Sequence, residues 1–320
     1  MKIMPMTNSF RALLLSFIIC VILLLSFIYV KYQYSFVLTP SCHYGFKCFF
    51  EQSPPDILFI GSSHTGQGYA PKVIEDKLKK SVYVLAYNGL DAVFMKDVLE
   101  TLIISYGLSF KKIIIEAYPF NAVSQVLLKD TRLFNESPPE LKKKIWHTLN
   151  RQDNGHVNFE KTYELWVLSD SISLFFAPFL FPLWRHSVYH GAYVHKQTPV
   201  LSLQEFEHIA KRIPFDAENV PALNQAQIAA YVSICDILKQ YRISAEFIEV
   251  PIPRPVYDHP ATMGIQKQLK QLIRAQGLNY FDPVEAGLFD HKNPNYFADW
   301  NHLSSLGRIN FSAMIAETRF

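Results

Sequence analysis

The sequence predicts an α/β fold, a parallel sheet layered between helices, preceded by one membrane-spanning helix. Three observations point there. Short apolar runs stop at turn residues, segments of helical period separate them, and an uncharged apolar stretch of nineteen residues stands near the N-terminus.

That stretch runs from Ala12 to Val30. Nineteen residues rising ~1.5 Å each extend about 28 Å, enough to cross a hydrocarbon core. The run is too long for a cleaved secretion signal and has no small-residue cleavage site, so residues 1–31 read as an uncleaved signal anchor. Ile19 is not the small residue that lipoprotein processing needs before Cys20, which reads as lipid-facing. Lys2 and Arg11 precede the span and Lys31 follows it. The balance favours a cytoplasmic N-terminus and an extracytoplasmic remainder. Residues 32–55 read as a juxtamembrane linker ending at Pro54-Pro55. In it, Cys42 and Cys48 fit an oxidising compartment either as a disulfide or as two separate thiols. Cys235 lies in an apolar helical pattern and reads as core.

The remaining residues, 56–320, suffice for one large domain. Of all 320 residues, 49% are hydrophobic and 18% charged, which excludes a disordered chain. A net charge of +3 with no basic face excludes a nucleic-acid partner. Lys142, Lys143 and Lys144 read as a solvated helix face. Neither a Walker loop nor a Gly-x-Gly-x-x-Gly segment is present, so no nucleotide cofactor is expected. His186, His190 and His195 lack ligand spacing with a matched carboxylate, so no metal is expected either.

Four runs read as buried strands: Asp56–Ile60, Val82–Ala86, Lys112–Glu116 and Ala245–Val250, each closed by Gly, Asn-Gly or Pro. Helical patterns cover Pro71–Lys80, Ala92–Tyr106, Leu223–Tyr241, Thr262–Gln276 and Ser304–Glu317. Residues 120–215 break the rhythm. They hold Trp146, Trp166 and Trp184, and Asp170, Pro178 and Pro182 argue against a second span. The stretch reads as a largely helical insertion, packed on the sheet or forming a lid that shapes the pocket or touches the bilayer surface.

Two segments carry chemistry. Gly61-Ser62-Ser63-His64-Thr65 follows the first strand and precedes a helix, the place where open sheets bind ligands. Glycine permits a tight turn there, and a serine just beyond projects its hydroxyl into the crevice. Asp299-Trp300-Asn301-His302 precedes the last helix. At that spacing the carboxylate can hold the imidazole Nδ1–H and leave Nε2 to take a serine proton. Each segment alone has a plain structural reading, a turn serine or a helix cap.

Together they resemble the SGNH hydrolases, also called the GDSL family, whose first block is a Gly-Asp-Ser-like turn and whose last is Asp-x-x-His. Leu303 and Gly307 suit the run after the histidine. The resemblance spans about residues 56–320 and implies a flavodoxin-like three-layer sandwich. By position it implies Ser63 as nucleophile, His302 as general base and acid, and Asp299 as its orienter. Ser62 stands where the family has aspartate and is the alternative nucleophile. The oxyanion hole would use the Ser63 N–H, the Asn88-Gly89 turn and an asparagine side chain. The third block departs from Gly-x-Asn-Asp, reading Glu116-Ala-Tyr-Pro-Phe-Asn121, so Asn121 or Asn88 is the candidate donor.

A substituted turn behind a single anchor resembles the subset that includes the D-alanyl-transfer proteins of teichoic acid and the O-acetylation proteins of exported polysaccharides. This implies a bacterial inner-membrane esterase or acyltransferase with its catalytic domain on the periplasmic side. Its substrate would be an acylated glycan or another envelope ester, and a multi-spanning membrane acyltransferase its partner. The alternatives are a non-catalytic binding protein that docks such an acyltransferase or a glycan, and a structural envelope protein whose Asp299-x-x-His302 is only a cap.

Overall fold

In a computed structural model of the chain, the described residues are 8–38, 45–50, 52–117, 132–152, 188–189, 192–193, 200–212 and 223–320. Strands β1 (Ile57–Gly61), β2 (Val82–Ala86) and β3 (Lys112–Glu116) come first. A short hairpin, β4 (Val188–Tyr189) and β5 (Ala192–Tyr193), follows, and then β6 (Ala245–Ile248) and β7 (Asn279–Phe281). Five of them make one parallel sheet in the order β2-β1-β3-β6-β7. Its chain reverses direction of travel at β1, so the crevice between the ends of β1 and β3 is the topological switch point of a flavodoxin-like order.

The strand residues face both ways into apolar layers. Leu58, Ile60, Tyr83, Leu85, Ile113, Ile115 and Phe247 join one core, and Ile57, Phe59, Val82, Val84, Ile114 and Ile248 the other. Burial on both faces is why these strands are continuous apolar runs rather than alternating ones. Helices Ala92–Glu100, Gln225–Gln240 and Pro260–Ala275 cover the first face. Helices Pro71–Leu78 and Ser305–Thr318 pack together over the second.

Several expectations shift. The fifth strand, β7, was not legible because Asn279-Tyr-Phe281 has no apolar run of its own. The helix expected over Ala92–Tyr106 keeps α geometry to Glu100 and continues as a π-type turn, Thr101–Ser105. Thr101 Oγ1 there donates to the Asp97 carbonyl at 2.8 Å, a back-bond that loosens helices. Residues 45–50, inside the expected linker, are helical and bury Phe46 and Phe49 in the first core. Lys142 is not solvated: it is buried, with its ammonium 5.4 Å from the centre of the Phe134 ring. Lys144 reaches Glu100 at 2.8 Å.

In the expected insertion, the described helices Arg132–Glu136 and Pro139–Gln152 send Leu133, Phe134, Leu141 and Ile145 into the first core. The hairpin strand β5 lies against β2 and the helix Ser63–Gly68, so this region is not helical throughout. Trp166, Trp184, His186, His190 and His195 lie outside the described residues, as does Cys42 and with it the disulfide question.

The N-terminal apolar run lies in the helix Asn8–Leu38, whose large apolar side chains between Leu13 and Phe27 are exposed. Among the described residues no helix is long and apolar enough to cross a membrane. The described side chains of this helix are those of residues 12–27, fewer than the ~20 apolar residues a span needs.

Candidate active site

The site begins where β1 ends. At Gly61 a Cβ would run into the Glu116 carboxylate and the Thr65 hydroxyl, so only glycine fits beside the end of β3. Ser62 then caps the helix Ser63–Gly68, its Oγ accepting the His64 N–H at 3.2 Å. Ser63 is the first residue of that helix and stays partly exposed at the sheet's C-terminal edge.

Beneath this turn lies Glu116, the last residue of β3 and only 2% exposed. Its Oε2 accepts the Ser62 N–H at 2.5 Å, the Thr65 hydroxyl at 2.6 Å and the Thr65 N–H at 3.3 Å. Its Oε1 accepts the Ser62 hydroxyl at 2.7 Å. Burial lifts the Glu116 carboxyl above its ordinary value, and the hydroxyls of Thr65 and Ser62, followed by the two N–H groups, pull the other way.

The second part is a closed loop, residues 298–302. An antiparallel bridge between Phe297 and Leu303, both buried, pins its ends. Ala298 N–H donates to the His302 carbonyl at 2.9 Å, and Ser304 Oγ donates to the Asn295 carbonyl at 2.6 Å while capping the last helix. Inside the loop, Asp299 Oδ1 accepts the N–H groups of Asn301 and His302, each at 2.9 Å.

The two parts meet. His302 Nδ1 is 2.8 Å from Asp299 Oδ2 and 3.0 Å from Oδ1, and His302 Nε2 is 2.8 Å from Ser63 Oγ. A carboxylate facing Nδ1 holds the proton there, which leaves Nε2 to accept from the serine hydroxyl. Burial pushes the Asp299 carboxyl up, but the bond and charge of His302 and the two N–H donors hold it below its ordinary value. Such an arrangement can activate a hydroxyl for attack on a carbonyl.

His64 is buried, its ring centre 5.2 Å from that of His302. Burial, then the charge of His302, holds it well below the ordinary histidine value, so its ring is neutral and does not compete for the proton. Ser62, the alternative nucleophile, gives its hydroxyl hydrogen to Glu116 instead.

Asn88 and Gly89 form the centre of a turn after β2. Leu90 N–H donates to the Tyr87 carbonyl at 3.1 Å and Gly89 has φ +68°, the type II pattern that favours glycine at that position. Tyr87 N–H donates to the Gly61 carbonyl at 3.2 Å, which sets this turn alongside the Ser62–Ser63 turn. Asn121 lies outside the described residues. Among the described residues no group of three His, Cys, Asp or Glu side chains could hold a metal ion.

Reasoning from sequence missed Glu116 and Thr65. A signal existed: a glutamate ending a buried apolar strand must find donors, and Ser62 and Thr65 lie at the adjacent strand's end.

No protein-family model matches the chain, and no curated protein matches it. Solved structures similar to it include two of bacterial origin. One, from Streptococcus pneumonia and described provisionally as a platelet activating factor, is 12% identical; the match covers 94% of this chain and 99% of that one, with a TM-score of 0.42. The other, from Slackia heliotrinireducens and described provisionally as an SGNH hydrolase, is 12% identical over 82% of this chain and 98% of its own, with a TM-score of 0.38. Likeness at this level fixes neither reaction nor substrate.

Proposed function

We propose that the chain is a membrane-anchored extracytoplasmic serine esterase or acyltransferase that acts on acyl groups of a cell-envelope glycopolymer. The observation that carries the reading is the hydrogen-bonded line from Ser63 Oγ through His302 to Asp299.

In this reading, His302 Nε2 takes the Ser63 proton as Oγ attacks an ester or thioester carbonyl. The Ser63 N–H and the Asn88-Gly89 turn face the oxyanion. His302 then gives the proton to the departing oxygen or sulfur, leaving the acyl group on Ser63. Water or a sugar hydroxyl, deprotonated by the same nitrogen, attacks the acyl-enzyme and restores the serine. Water makes the chain an esterase, a sugar an acyltransferase. The anchor rests on the uncharged run Ala12–Val30 and on the exposed apolar side chains of its helix. A glycan substrate and a multi-spanning acyltransferase partner rest on the sequence resemblance.

The test is the intact mass of the full chain in detergent micelles after treatment with a fluorophosphonate. One adduct is expected, absent in Ser63→Ala and slow to form in His302→Ala. A folded wild-type chain without an adduct would overturn the reading in favour of a non-catalytic binding protein.

A further inference from the structure

The Ser62–Thr65 turn has more of its hydrogen bonds fixed than a helix start needs. Glu116 takes the N–H groups of Ser62 and Thr65 and both their hydroxyls. The Ser62 Oγ takes the N–H of His64. The remaining N–H of the turn is that of Ser63, and among the described residues nothing accepts from it. Gly61 completes the unit, because any side chain there would displace Glu116 and Thr65.

We propose that Glu116 is a positioning residue for the reaction at Ser63: its carboxylate clamps Ser62 and Thr65 on either side of Ser63, holding Ser63 Oγ against His302 and keeping the Ser63 N–H turned toward the reacting carbonyl. The proposal rests on the reading of Ser63 as the nucleophile.

The clamp is placed where it can do this. Glu116 ends β3, the neighbour of β1, and Ile60 pairs with Ile115 in register, so the carboxylate arrives directly beneath the turn. The ionised form meets all four contacts as acceptor, two from backbone N–H groups and two from hydroxyls that give their hydrogens. A buried carboxylate is costly unless its oxygens are so satisfied, which explains why the donors surround it. Neither Glu116 nor Thr65 touches His302 in a hydrogen bond, so any effect on rate passes through the turn.

The test separates rate from binding. Fluorophosphonate labelling of the full chain in micelles gives kinact and KI for the wild type, Glu116→Gln and Thr65→Val, scaled to the folded fraction. In Glu116→Gln the amide nitrogen fits on the Oε1 side, where a single donor, Ser62, must turn its hydrogen away. Thr65→Val keeps the shape and removes one donor to Oε2. Displacing a nucleophile by a fraction of an ångström to an ångström lowers kinact by about ten- to a hundredfold and leaves KI unchanged. A merely structural clamp would lower the folded fraction with kinact per folded molecule unchanged. Both variants folded and within about twofold of the wild-type kinact would overturn the proposal, that factor being under ~0.5 kcal/mol of barrier. If Glu116→Gln fails to fold, Thr65→Val decides by the same two constants. A wild type that forms no Ser63-dependent adduct overturns the parent reading itself, which distinguishes the two failures.

Discussion

His302 Nε2 stands 2.8 Å from Ser63 Oγ although 239 positions separate them in the chain. The closed loop that holds His302 also presents Asp299, whose side chain is 40% exposed while that of His302 is 16% exposed. Solvent therefore screens the carboxylate, and its main work is to fix the ring and its proton on Nδ1. Asp299→Asn offers an amide that can satisfy the wrong tautomer. The labelling rate is expected to fall by roughly ten- to a thousandfold, less than for a fully buried orienter. The lowered carboxyl also carries a sign. Stability from ionised Asp299 is present above its ordinary value of 3.8 and is lost as pH falls through the lower folded value. Acid unfolding curves of Asp299→Asn should lack that loss; identical acid limbs for the two proteins would refute the linkage.

Gly61→Ala tests how tightly the turn is built. The new methyl would meet Glu116 and Thr65 in a layer with no spare volume. Overpacking of this kind costs about 1–3 kcal/mol, and the clamp must move to admit it. Urea unfolding should show a lower midpoint with the same slope, and labelling of the folded fraction should slow. Wild-type values for both would mean the turn has slack that these contacts deny.

Much of this was legible in the sequence, and the reasons differ by residue. Leu58, Ile60, Ile113 and Ile115 announce buried parallel strands because both sheet faces exclude water. Ser63 and the Asp299–His302 pair stood out because turn glycine and Asp-x-x-His are local patterns. Glu116 did not stand out, because its role depends on strand order: only the placement of β3 beside β1 puts its carboxylate under Ser62 and Thr65. Phe46 and Phe49 were hidden for a similar reason. They precede the first strand, and nothing local says that the turn after β2 supplies the Tyr87 hydroxyl that accepts the Phe46 N–H at 2.9 Å.

Those two phenylalanines tie the chain ahead of β1 to the first core. Phe46 is 0% and Phe49 2% exposed, and Tyr87 also donates to Glu136 at 2.9 Å, tying the helix Gly45–Phe50 to the helix Arg132–Glu136. A chain beginning at residue 39 keeps both rings but loses the packing of the helix Asn8–Leu38 against the helices Arg132–Glu136 and Pro139–Gln152. A chain beginning at residue 52 loses both rings, roughly 3–6 kcal/mol of apolar burial. Equal thermal midpoints for the two shortened chains in the same detergent would show that the aromatic contacts carry little stability.

The last prediction concerns a buried carboxyl away from the site. Glu249 is 5% exposed; it accepts from Gln266 Nε2 at 2.7 Å and from the Tyr280 hydroxyl. Burial, then the nearby charge of Asp282, lifts it well above the ordinary 4.5, despite the two donors. The sign is opposite to that of Asp299. The fold favours the protonated acid, so its contribution is complete below the ordinary value and is lost as pH rises through the folded one. Glu249→Gln is uncharged throughout, and its amide can donate to the Tyr280 oxygen while its carbonyl accepts from Gln266. Between about pH 5 and about pH 8 the wild type should lose stability relative to Glu249→Gln. Urea midpoints at the two pH values measure it, and because other groups titrate in both proteins, the difference between them isolates Glu249. Parallel changes in the two would mean that the carboxyl is ionised in the fold already at the lower pH.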